Sequence, residues 1–314
     1  MQSSENMRNP LILFVDLDEW YHCRWATGAS SSRWASVEDC LRDTYHSDRP
    51  VGEILEPTRW ILNCFREHDT KVTFAILGEV ARWYPELVQE IVQEGHNIAC
   101  HGMYHQDMTL LSRQQFSEQL AQARQILEQI SGRRVVGFRA PNLIVAEWLA
   151  KVLVEQGFAY DSSVCPARNP GKFKDHSHAP RRPYQVSLNS VFRRGNSGLV
   201  EIPMAVFPIL RMPGGQSIMT RVLGWPWTSI TLDTALRSGP ACYYMHPYEF
   251  NPTQGLRDMH FDERVFLVRT GSYMKGNLER LLRKYRGRIV TAEDYVSRCF
   301  PQRSMTSASG TRSG

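Results

Sequence analysis

The sequence predicts one α/β domain built on parallel strands, either a barrel or an open sheet. Short apolar runs of strand type alternate with helical stretches from Leu11 to Thr291, and this repeated order is typical of a parallel sheet. A chain of 314 residues that is 42% hydrophobic and 22% charged is also long enough to bury a substantial core. In either architecture the functional site forms where the strands end at their carboxyl edges.

The first half of the chain contains five predicted strands with helices between them. The first strand, residues 11–15, is a continuous apolar run of the buried type, and the others follow at residues 71–77, 97–100, 135–138 and 158–162. Helices are predicted at residues 57–67, 79–94, 113–131 and 146–156. Ser112 and Gln115 form a capping-box pattern at the start of the third helix, and Gly132 ends that helix.

The second half leaves this order and then returns to it. Residues 166–198 are rich in Pro, Gly, Arg, Lys and Asn, which predicts a loop-rich insert. Strands follow at residues 199–204, 241–245 and 288–291, with a helix at residues 261–286. We therefore expect an N-terminal extension at residues 1–10, one catalytic domain over residues 11–300, and a disordered tail at residues 301–314.

Composition excludes several classes of protein. The net charge of +5, from 37 basic and 32 acidic residues, is too small an excess for a nucleic-acid-binding protein. No apolar run reaches the ~18 residues of a membrane span or the ~7 residues of a signal-peptide core, so we expect a cytoplasmic protein and leave peripheral membrane contact open. The seven cysteines are scattered without a C-x-x-C pair, which argues against a disulfide framework and a thiolate zinc site. The oligomeric state stays open.

Polar residues suited to catalysis lie in or after five of the predicted strands. They are Asp16 and Asp18 after the first strand, His101 and His105 after the third, Arg139 after the fourth, Asp161 in the fifth, and His246 after residues 241–245. Each has a structural alternative. The aspartates could form a turn or a helix N-cap, the two paired histidines could be hydrogen-bonded loop residues, the arginine could be in a surface ion pair, and the last histidine could be a capped core residue.

Taken together, these residues indicate metal-assisted hydrolysis. One carboxylate and two imidazoles are a usual ligand set for Zn²⁺ or a similar divalent ion, and they leave positions open for water and substrate. A second carboxylate can take a proton from water, Arg139 can keep that carboxylate ionised, and His246 can protonate a leaving group. Two alternatives stay open. One is a phosphohydrolase or glycosyltransferase built on Asp16 and Asp18, which leaves the other residues unexplained, and the other is an inactive sugar-binding module.

The same residues lie in motifs that resemble those of the polysaccharide deacetylases with a NodB homology domain, carbohydrate esterase family 4. In the family's order, the motifs are F-V-D-L-D-E-W-Y-H, H-G-M-Y-H, F-R-A-P-N, Y-D-S-S-V and Y-M-H-P-Y-E. The D-x-D of the first motif is similar to that of the branch resembling peptidoglycan deacetylases, and the fourth motif lacks the family's usual Asp-Trp. The resemblance covers residues 11–164 well and residues 200–251 moderately.

The resemblance implies a distorted barrel of about seven parallel strands, a NodB-like (β/α)7-type barrel. It also implies a divalent metal ion, Zn²⁺ in the first place and Co²⁺, Fe²⁺, Ni²⁺ or Mn²⁺ as alternatives. The implied metal ligands are Asp18, His101 and His105. The implied base is Asp16, oriented by Arg139, and the implied general acid is His246. A backbone N–H near Asn142 would stabilise the oxyanion, and Asp161 is our suggested partner for His246.

The implied reaction is hydrolysis of an N-acetyl or N-formyl group from an amino sugar. The expected substrate is a glycan or a lipid-linked or nucleotide-linked glycan precursor. Trp20, Tyr21 and His22 follow the aspartates and are predicted to form either a sugar-binding wall or part of the core. The basic residues of the insert are predicted to meet phosphates or to form a solvated loop; they are Lys172, Lys174, Arg181, Arg182, Arg193 and Arg194.

Overall fold

Twelve strands and ten α-helices alternate along residues 9–168, 175–251 and 267–301, the parts of the chain that this computed structural model describes. The strands are β1 (Leu11–Leu17), β2 (Thr73–Ile76), β3 (Asn97–Cys100), β4 (Gly137–Phe138), β5 (Tyr160–Asp161), β6 (Tyr184–Ser187), β7 (Ser190–Arg194), β8 (Val200–Glu201), β9 (Val206–Phe207), β10 (Met212–Pro213), β11 (Ala241–Met245) and β12 (Ile289–Val290). The helices are α1 (Val37–Tyr45), α2 (Leu55–Glu67), α3 (Gly78–Trp83), α4 (Pro85–Gln93), α5 (Arg113–Ser131), α6 (Leu149–Glu155), α7 (Ser217–Leu223), α8 (Trp225–Ser238), α9 (Ser272–Lys284) and α10 (Ala292–Cys299).

Seven parallel strands form the wall of a distorted barrel, in the order β11, β1, β2, β3, β4, β5 and β8. The two ends of this row approach each other, because Ala205 N donates to Cys242 O at 3.0 Å and Tyr244 N donates to Gly215 O at 3.1 Å. Isolated hydrogen bonds therefore join the ends, and β12 adds to the wall beside β1. The predicted distorted barrel of the (β/α)7 type is confirmed.

Strand β1 is buried along its whole length. Its apolar residues are 0% exposed, as expected for a strand covered on both faces of a parallel sheet. It lies between β11 and β2, and Val15 is in register with Met245. The carboxyl end of β1, with Asp16 and Asp18, therefore lies beside the end of β11, which leads to His246.

The capping box and the terminal glycine that the sequence predicts for α5 are present in the structure. Ser112 Oγ accepts from Gln115 N at 3.2 Å, Ser112 N donates to Gln115 Oε1 at 2.9 Å, and Gly132 ends α5 in the left-handed region. The helix predicted at residues 79–94 is two helices, α3 and α4. Pro85 starts the second of them, because proline cannot donate the backbone hydrogen bond that would continue the first.

The predicted loop-rich insert is partly regular. Strands β6 and β7 form an antiparallel hairpin, and β6 continues the sheet by pairing with β8. Tyr184, Val186 and Val191 are buried, so the hairpin turns alternate side chains inward. Four helices that the sequence did not predict are α1, α7, α8 and α10. Residues 1–8, 169–174, 252–266 and 302–314 lie outside the described residues, and with them Lys172, Lys174, the start of the helix predicted at residues 261–286 and nearly all of the predicted tail.

Two buried carboxyl groups face each other between β5 and β8. Asp161 and Glu201 are in register, both are 0% exposed, and each has one buried carboxyl oxygen without a hydrogen-bond partner among the described residues. Asp161 also accepts from Ser163 Oγ, and Glu201 Oε1 accepts from Val164 N at 2.9 Å. Burial, and then the neighbouring Asp161 carboxylate, raise the pKa of Glu201 well above its ordinary value. Glu201 therefore keeps its proton to a higher pH than a glutamic acid in water does.

The buried pair of Asp161 and Glu201 makes the free energy of unfolding depend on pH. The folded protein keeps a proton on Glu201 that the unfolded chain releases above its ordinary pKa of 4.5, so the stability contributed by the pair falls as pH rises. We expect Glu201→Gln to remove this fall, because the amide does not titrate, and to gain about 1 kcal/mol at about pH 8. Melting temperatures from about pH 5 to about pH 9 measure the effect. Exposed Glu86→Gln is the control, and a Glu201→Gln variant less stable than the wild type at every pH contradicts the account.

Candidate active site

Five polar side chains meet at the carboxyl ends of four strands. Asp16 and Asp18 flank the last residue of β1, His101 follows β3, Arg139 follows β4, and His246 follows β11. The parallel hydrogen bonding continues one residue past two of these strands, since His101 N donates to Ile76 O and Arg139 N donates to Cys100 O, both at 2.9 Å. The residues that the sequence nominates are therefore brought together at the edge where a parallel sheet forms its site.

Asp18, His101 and His105 form a cluster suited to a metal ion. Each presents a ligand atom, and these atoms lie within 4.8 Å of one another. All three side chains are buried, and His105 Nε2 lies 3.2 Å from Asp18 Oδ2. Among the residues that the structure describes, this is the one group of three His, Cys, Asp or Glu side chains with such spacing. A carboxylate and two imidazoles are donors that Zn²⁺ accepts in open catalytic sites.

The hydrogen bonds around these ligands fit a bound cation. His101 Nδ1 lies 2.9 Å from the carbonyl oxygen of Arg139, so Nδ1 carries the proton and Nε2 keeps its lone pair. Burial lowers the pKa of His101 to about 4, which keeps the ring in the neutral form that binds metals. Asp18 Oδ1 is buried and has no hydrogen-bond partner among the described residues, as expected for an oxygen that a cation would satisfy.

Asp16 is held by an arginine. Arg139 Nε donates to Asp16 Oδ2 at 2.8 Å, and the side chain of Arg139 is 0% exposed. The guanidinium lies 4.1 Å from the centre of the Tyr244 ring and 5.0 Å from that of Phe14, and its Nη1 donates to Ser162 Oγ at 3.3 Å. Asp16 Oδ1 is buried without a partner in the described residues. One oxygen of Asp16 is therefore fixed, and the other can accept a proton.

His246 has a carboxylate partner, Glu249, that our sequence analysis missed. His246 Nδ1 lies 3.2 Å from Glu249 Oε1, which leaves Nε2 as the free donor. The same oxygen of Glu249 accepts from Ser217 Oγ at 2.7 Å and from Arg221 Nη2 at 2.9 Å. Burial disfavours the charged imidazole, but the carboxylates of Asp18 and Glu249 outweigh it and raise the pKa of His246 to about 9. The ring therefore carries a proton to donate at neutral pH.

The pairing of Asp161 with His246 is wrong. Asp161 lies on β5, where its carboxyl group bonds to Ser163 and faces Glu201 on β8. The partner is Glu249 because residues 247–250 form a 3-10 turn that brings position i+3 back to His246, the geometry of a capping box. That spacing is visible in Y-M-H-P-Y-E, so the signal was present in the sequence.

Trp20, Tyr21 and His22 do not form an open sugar-binding wall. They lie in a 3-10 helix and are 2%, 1% and 0% exposed. The Trp20 ring is stacked on Trp25 with 5.7 Å between centroids, and His22 Nδ1 accepts from the backbone N–H of Glu19 at 2.9 Å. Packing in the core, the alternative for these aromatic residues, is what the structure supports.

Asn142 lies beside the metal ligands in an uncommon backbone conformation. Its φ is 55° and that of Leu143 is 54°, in the left-handed region that residues other than glycine seldom adopt. Asn142 Nδ2 lies 3.4 Å from His105 Nδ1. The structure thus places Asn142 at the site, while oxyanion stabilisation by a backbone N–H near it stays a prediction.

Two family profiles match the chain. The profile for polysaccharide deacetylase matches residues 51–160, which include both histidine ligands and Arg139. Residues 51–160 belong to the polysaccharide deacetylase family. A second profile, for a domain of unknown function (DUF3473), matches residues 162–292, which include His246. The candidate site therefore combines residues from both matched segments with the two aspartates of β1.

Curated relatives match part of this chain. The peptidoglycan deacetylase-like protein FGM2 of Gibberella zeae is 37% identical over 94 residues, which are 30% of this chain and 28% of the relative. The peptidoglycan-N-acetylglucosamine deacetylase of Bacillus cereus is 32% identical over 107 residues, which are 34% of this chain and 39% of the relative. The matched stretches thus span well under two thirds of either relative.

Solved structures share the fold over nearly the whole chain. A Mycobacterium smegmatis protein described as a polysaccharide deacetylase superposes with a TM-score of 0.64, covering 95% of this chain and 92% of that chain at 16% identity. The allantoinase Puue superposes with a TM-score of 0.61, covering 96% and 94% at 15% identity. At these identities the likeness establishes the fold.

The contact between His246 and Glu249 leads to a testable prediction. Glu249→Gln removes a negative charge beside the imidazole, so the pKa of His246 falls and the alkaline limb of the pH–rate profile moves to lower pH. We expect kcat to fall by about 10- to 100-fold. The variant also leaves Arg221 without its buried carboxylate, so melting temperatures are measured with the kinetics.

Asp161→Asn is the matched control, because it also alters a buried carboxyl group but one without contact to His246. We expect its alkaline limb to stay in place. A limb that moves in Asp161→Asn and not in Glu249→Gln contradicts the assignment of Glu249.

Proposed function

We propose that the protein is a metal-dependent hydrolase that removes an N-acetyl or N-formyl group from an amino sugar. The observation that carries this proposal is the separation of the two aspartates at the end of β1. Asp18 is grouped with the two histidine ligands, whereas Asp16 is paired with Arg139. This arrangement supplies a metal site and an independent base. A phosphohydrolase or glycosyltransferase built on both aspartates leaves His246 without a role.

The roles of the side chains follow from their hydrogen bonds. A divalent ion held by the three ligands would supply Lewis-acid polarisation of the acyl carbonyl and make a water molecule more acidic. Asp16 accepts the proton of the attacking water at Oδ1, while Arg139 holds Oδ2 by a hydrogen bond and so orients the carboxylate. His246 donates a proton from Nε2 to the departing nitrogen as the C–N bond breaks, and Glu249 orients the ring. The products are a carboxylic acid and a free amine.

The substrate class rests on the family and on the names of its relatives. A peptidoglycan-N-acetylglucosamine deacetylase among them supports an amino sugar in a glycan, or in a lipid-linked or nucleotide-linked precursor, as the substrate. Two imidazoles and a carboxylate support zinc first, with Co²⁺, Fe²⁺, Ni²⁺ and Mn²⁺ as alternatives of similar ligand preference. Within the described residues, helices are too short or too polar to cross a bilayer. Cell fractionation tests the cytoplasmic location that the sequence predicts.

The base is tested with a substrate of defined chemistry. Zinc-loaded protein is incubated with an N-acetylated chitooligosaccharide, and free amine and acetate are measured. We expect equal amounts of both products. Asp16→Asn should lower kcat by about 10²- to 10⁴-fold with zinc content unchanged, because it removes the base and keeps the ligands. Asp18→Asn is the matched variant, since the same change two residues away should lower the zinc content.

Other products distinguish the alternatives. Inorganic phosphate or a transferred sugar without amine contradicts the proposal. Sugar binding without release of amine from glycan, lipid-linked or nucleotide-linked substrates identifies an inactive sugar-binding module. Release of formate from an N-formylated substrate, without release of acetate from the N-acetylated one, identifies the acyl group as formyl.

A further inference from the structure

A charged cavity is lined by residues other than those of the candidate active site. It has a volume of about 440 Å³, and four arginines line it: Arg181, Arg182, Arg194 and Arg211. His178 adds a fifth basic side chain, and the described lining residues include neither aspartate nor glutamate. Cavities of about 300–1,000 Å³ are typical of small-molecule sites. The cavity thus has the size and charge of an anion-binding site.

These arginines differ from most others in the described chain. Arg59, Arg113 and Arg124, for example, pair with glutamates. By contrast, Arg181 and Arg182 have neither a hydrogen bond nor an ion pair with any described residue. Arg194 lies over the Tyr184 ring at 5.5 Å and has no carboxylate partner in the described residues. Positive charge is therefore concentrated around the cavity without internal neutralisation.

Arg211 is held in place at the cavity wall. Its φ of 54° lies in the left-handed region, and its backbone oxygen accepts from Arg168 N at 2.9 Å. Its Nη1 donates to the carbonyl oxygens of Pro166 at 3.4 Å and Ala179 at 3.3 Å. Its Nε and Nη2 have no acceptor among the described residues. The backbone thus anchors one end of the guanidinium, and the remaining donors are available to a ligand.

The charge on Arg211 is poorly compensated. Burial, and then the neighbouring cations Arg181 and Arg168, lower the pKa of Arg211, and Asp175 acts in the opposite direction. Asp175 does not line the cavity. A bound anion would relieve the repulsion among these guanidinium groups.

The carboxyl end of α8 accounts for the position of one of the four arginines, Arg182. The side chain of Arg182 packs against Gly239, directly after this helix, where a cation offsets the negative end of the helix dipole. Arg181 is the neighbour of Arg182 in the sequence, but Arg194 lies on β7 and Arg211 directly precedes β10, so this effect does not account for the convergence.

Exposed apolar residues adjoin the cavity. Ile209 is 79% exposed and Leu210 is 54% exposed, and they directly precede Arg211 in the turn between β9 and β10. Apolar side chains beside a cluster of cations are the combination that binds the surface of a membrane containing anionic lipid. The turn therefore favours a ligand whose phosphates are attached to a lipid.

We propose that the arginine-lined cavity binds a pyrophosphate group, carried by the lipid-linked form of the glycan substrate. Planar guanidinium groups bind phosphate oxygens in pairs, and four of them suit two adjacent phosphates better than one. The link to the substrate rests on the proposed function, whereas binding of pyrophosphate does not.

Binding is measured by calorimetry at low salt with inorganic pyrophosphate and with uridine diphosphate. We expect both to bind, and Arg181→Gln/Arg182→Gln to raise Kd about tenfold or more, because charge-assisted hydrogen bonds are lost. Arg193→Gln is the matched control, since this neighbouring exposed arginine does not line the cavity, and its Kd should be unchanged. Arg181→Lys keeps the charge but not the paired donors, so an intermediate Kd at an unchanged melting temperature supports the site.

Two further experiments test whether the phosphates belong to a lipid and whether pyrophosphate binding is independent of the proposed function. Vesicles of phosphatidylcholine with a polyprenyl pyrophosphate should bind the protein better than plain vesicles, and Ile209→Asn/Leu210→Asn should weaken vesicle binding without changing the Kd for soluble pyrophosphate. Asp18→Asn should bind pyrophosphate with the Kd of the wild type. Pyrophosphate binding can therefore fail while deacetylation is confirmed, and deacetylation can fail while pyrophosphate binding is confirmed. Equal Kd values for the wild type and Arg181→Gln/Arg182→Gln overturn the site. Pyrophosphate binding without preference for the lipid vesicles overturns the lipid source.

Discussion

The buried ion pair between Arg139 and Asp16 is the constraint on which the arrangement of the site depends. Both groups are withdrawn from water, and removing one partner of such a pair costs about 3–5 kcal/mol, so the fold has to keep them together. Arg139 directly follows β4, and Asp16 lies near the end of β1. These two strands are separated by β2 and β3, so their ends would lie about 14 Å apart in a flat sheet. The 2.8 Å contact is compatible with a strongly curled sheet, whereas His246 reaches the same edge because β11 pairs directly with β1.

A buried arginine supports each of the two proton-transfer groups. Arg139 holds Asp16 directly, and Arg221 holds Glu249, which in turn contacts His246. The first contact fixes the orientation of the proposed base, and the Glu249 carboxylate in the second favours a charged imidazole in the proposed acid. The buried charges around each group therefore suit the two tasks that we propose. Asp18, two residues from the base, is left to the metal cluster.

Much of this site could be predicted from the sequence, because parallel strands place the residues that follow them at one edge. That rule located Asp16, Asp18, His101, Arg139 and His246 without knowledge of the curl. The rule does not report side-chain direction. It nominated Asp161, which the family resemblance then suggested as the partner of His246, but the Asp161 carboxyl group faces Glu201 on the neighbouring strand. It also could not show that Trp20 is covered by Trp25, nor that arginines distant in sequence line one cavity, since both depend on tertiary packing.

The central claim is that the two aspartates of β1 divide the work, with Asp18 on the metal and Asp16 on the arginine. The most direct test is a crystal structure of the zinc-loaded protein, with the ion located by anomalous diffraction. The account predicts zinc bound by the Asp18 carboxylate and one nitrogen each of His101 and His105, with the hydrogen bond from Arg139 to Asp16 intact. Zinc bound by Asp16 with Arg139 turned away, or zinc bound at another place, would contradict it.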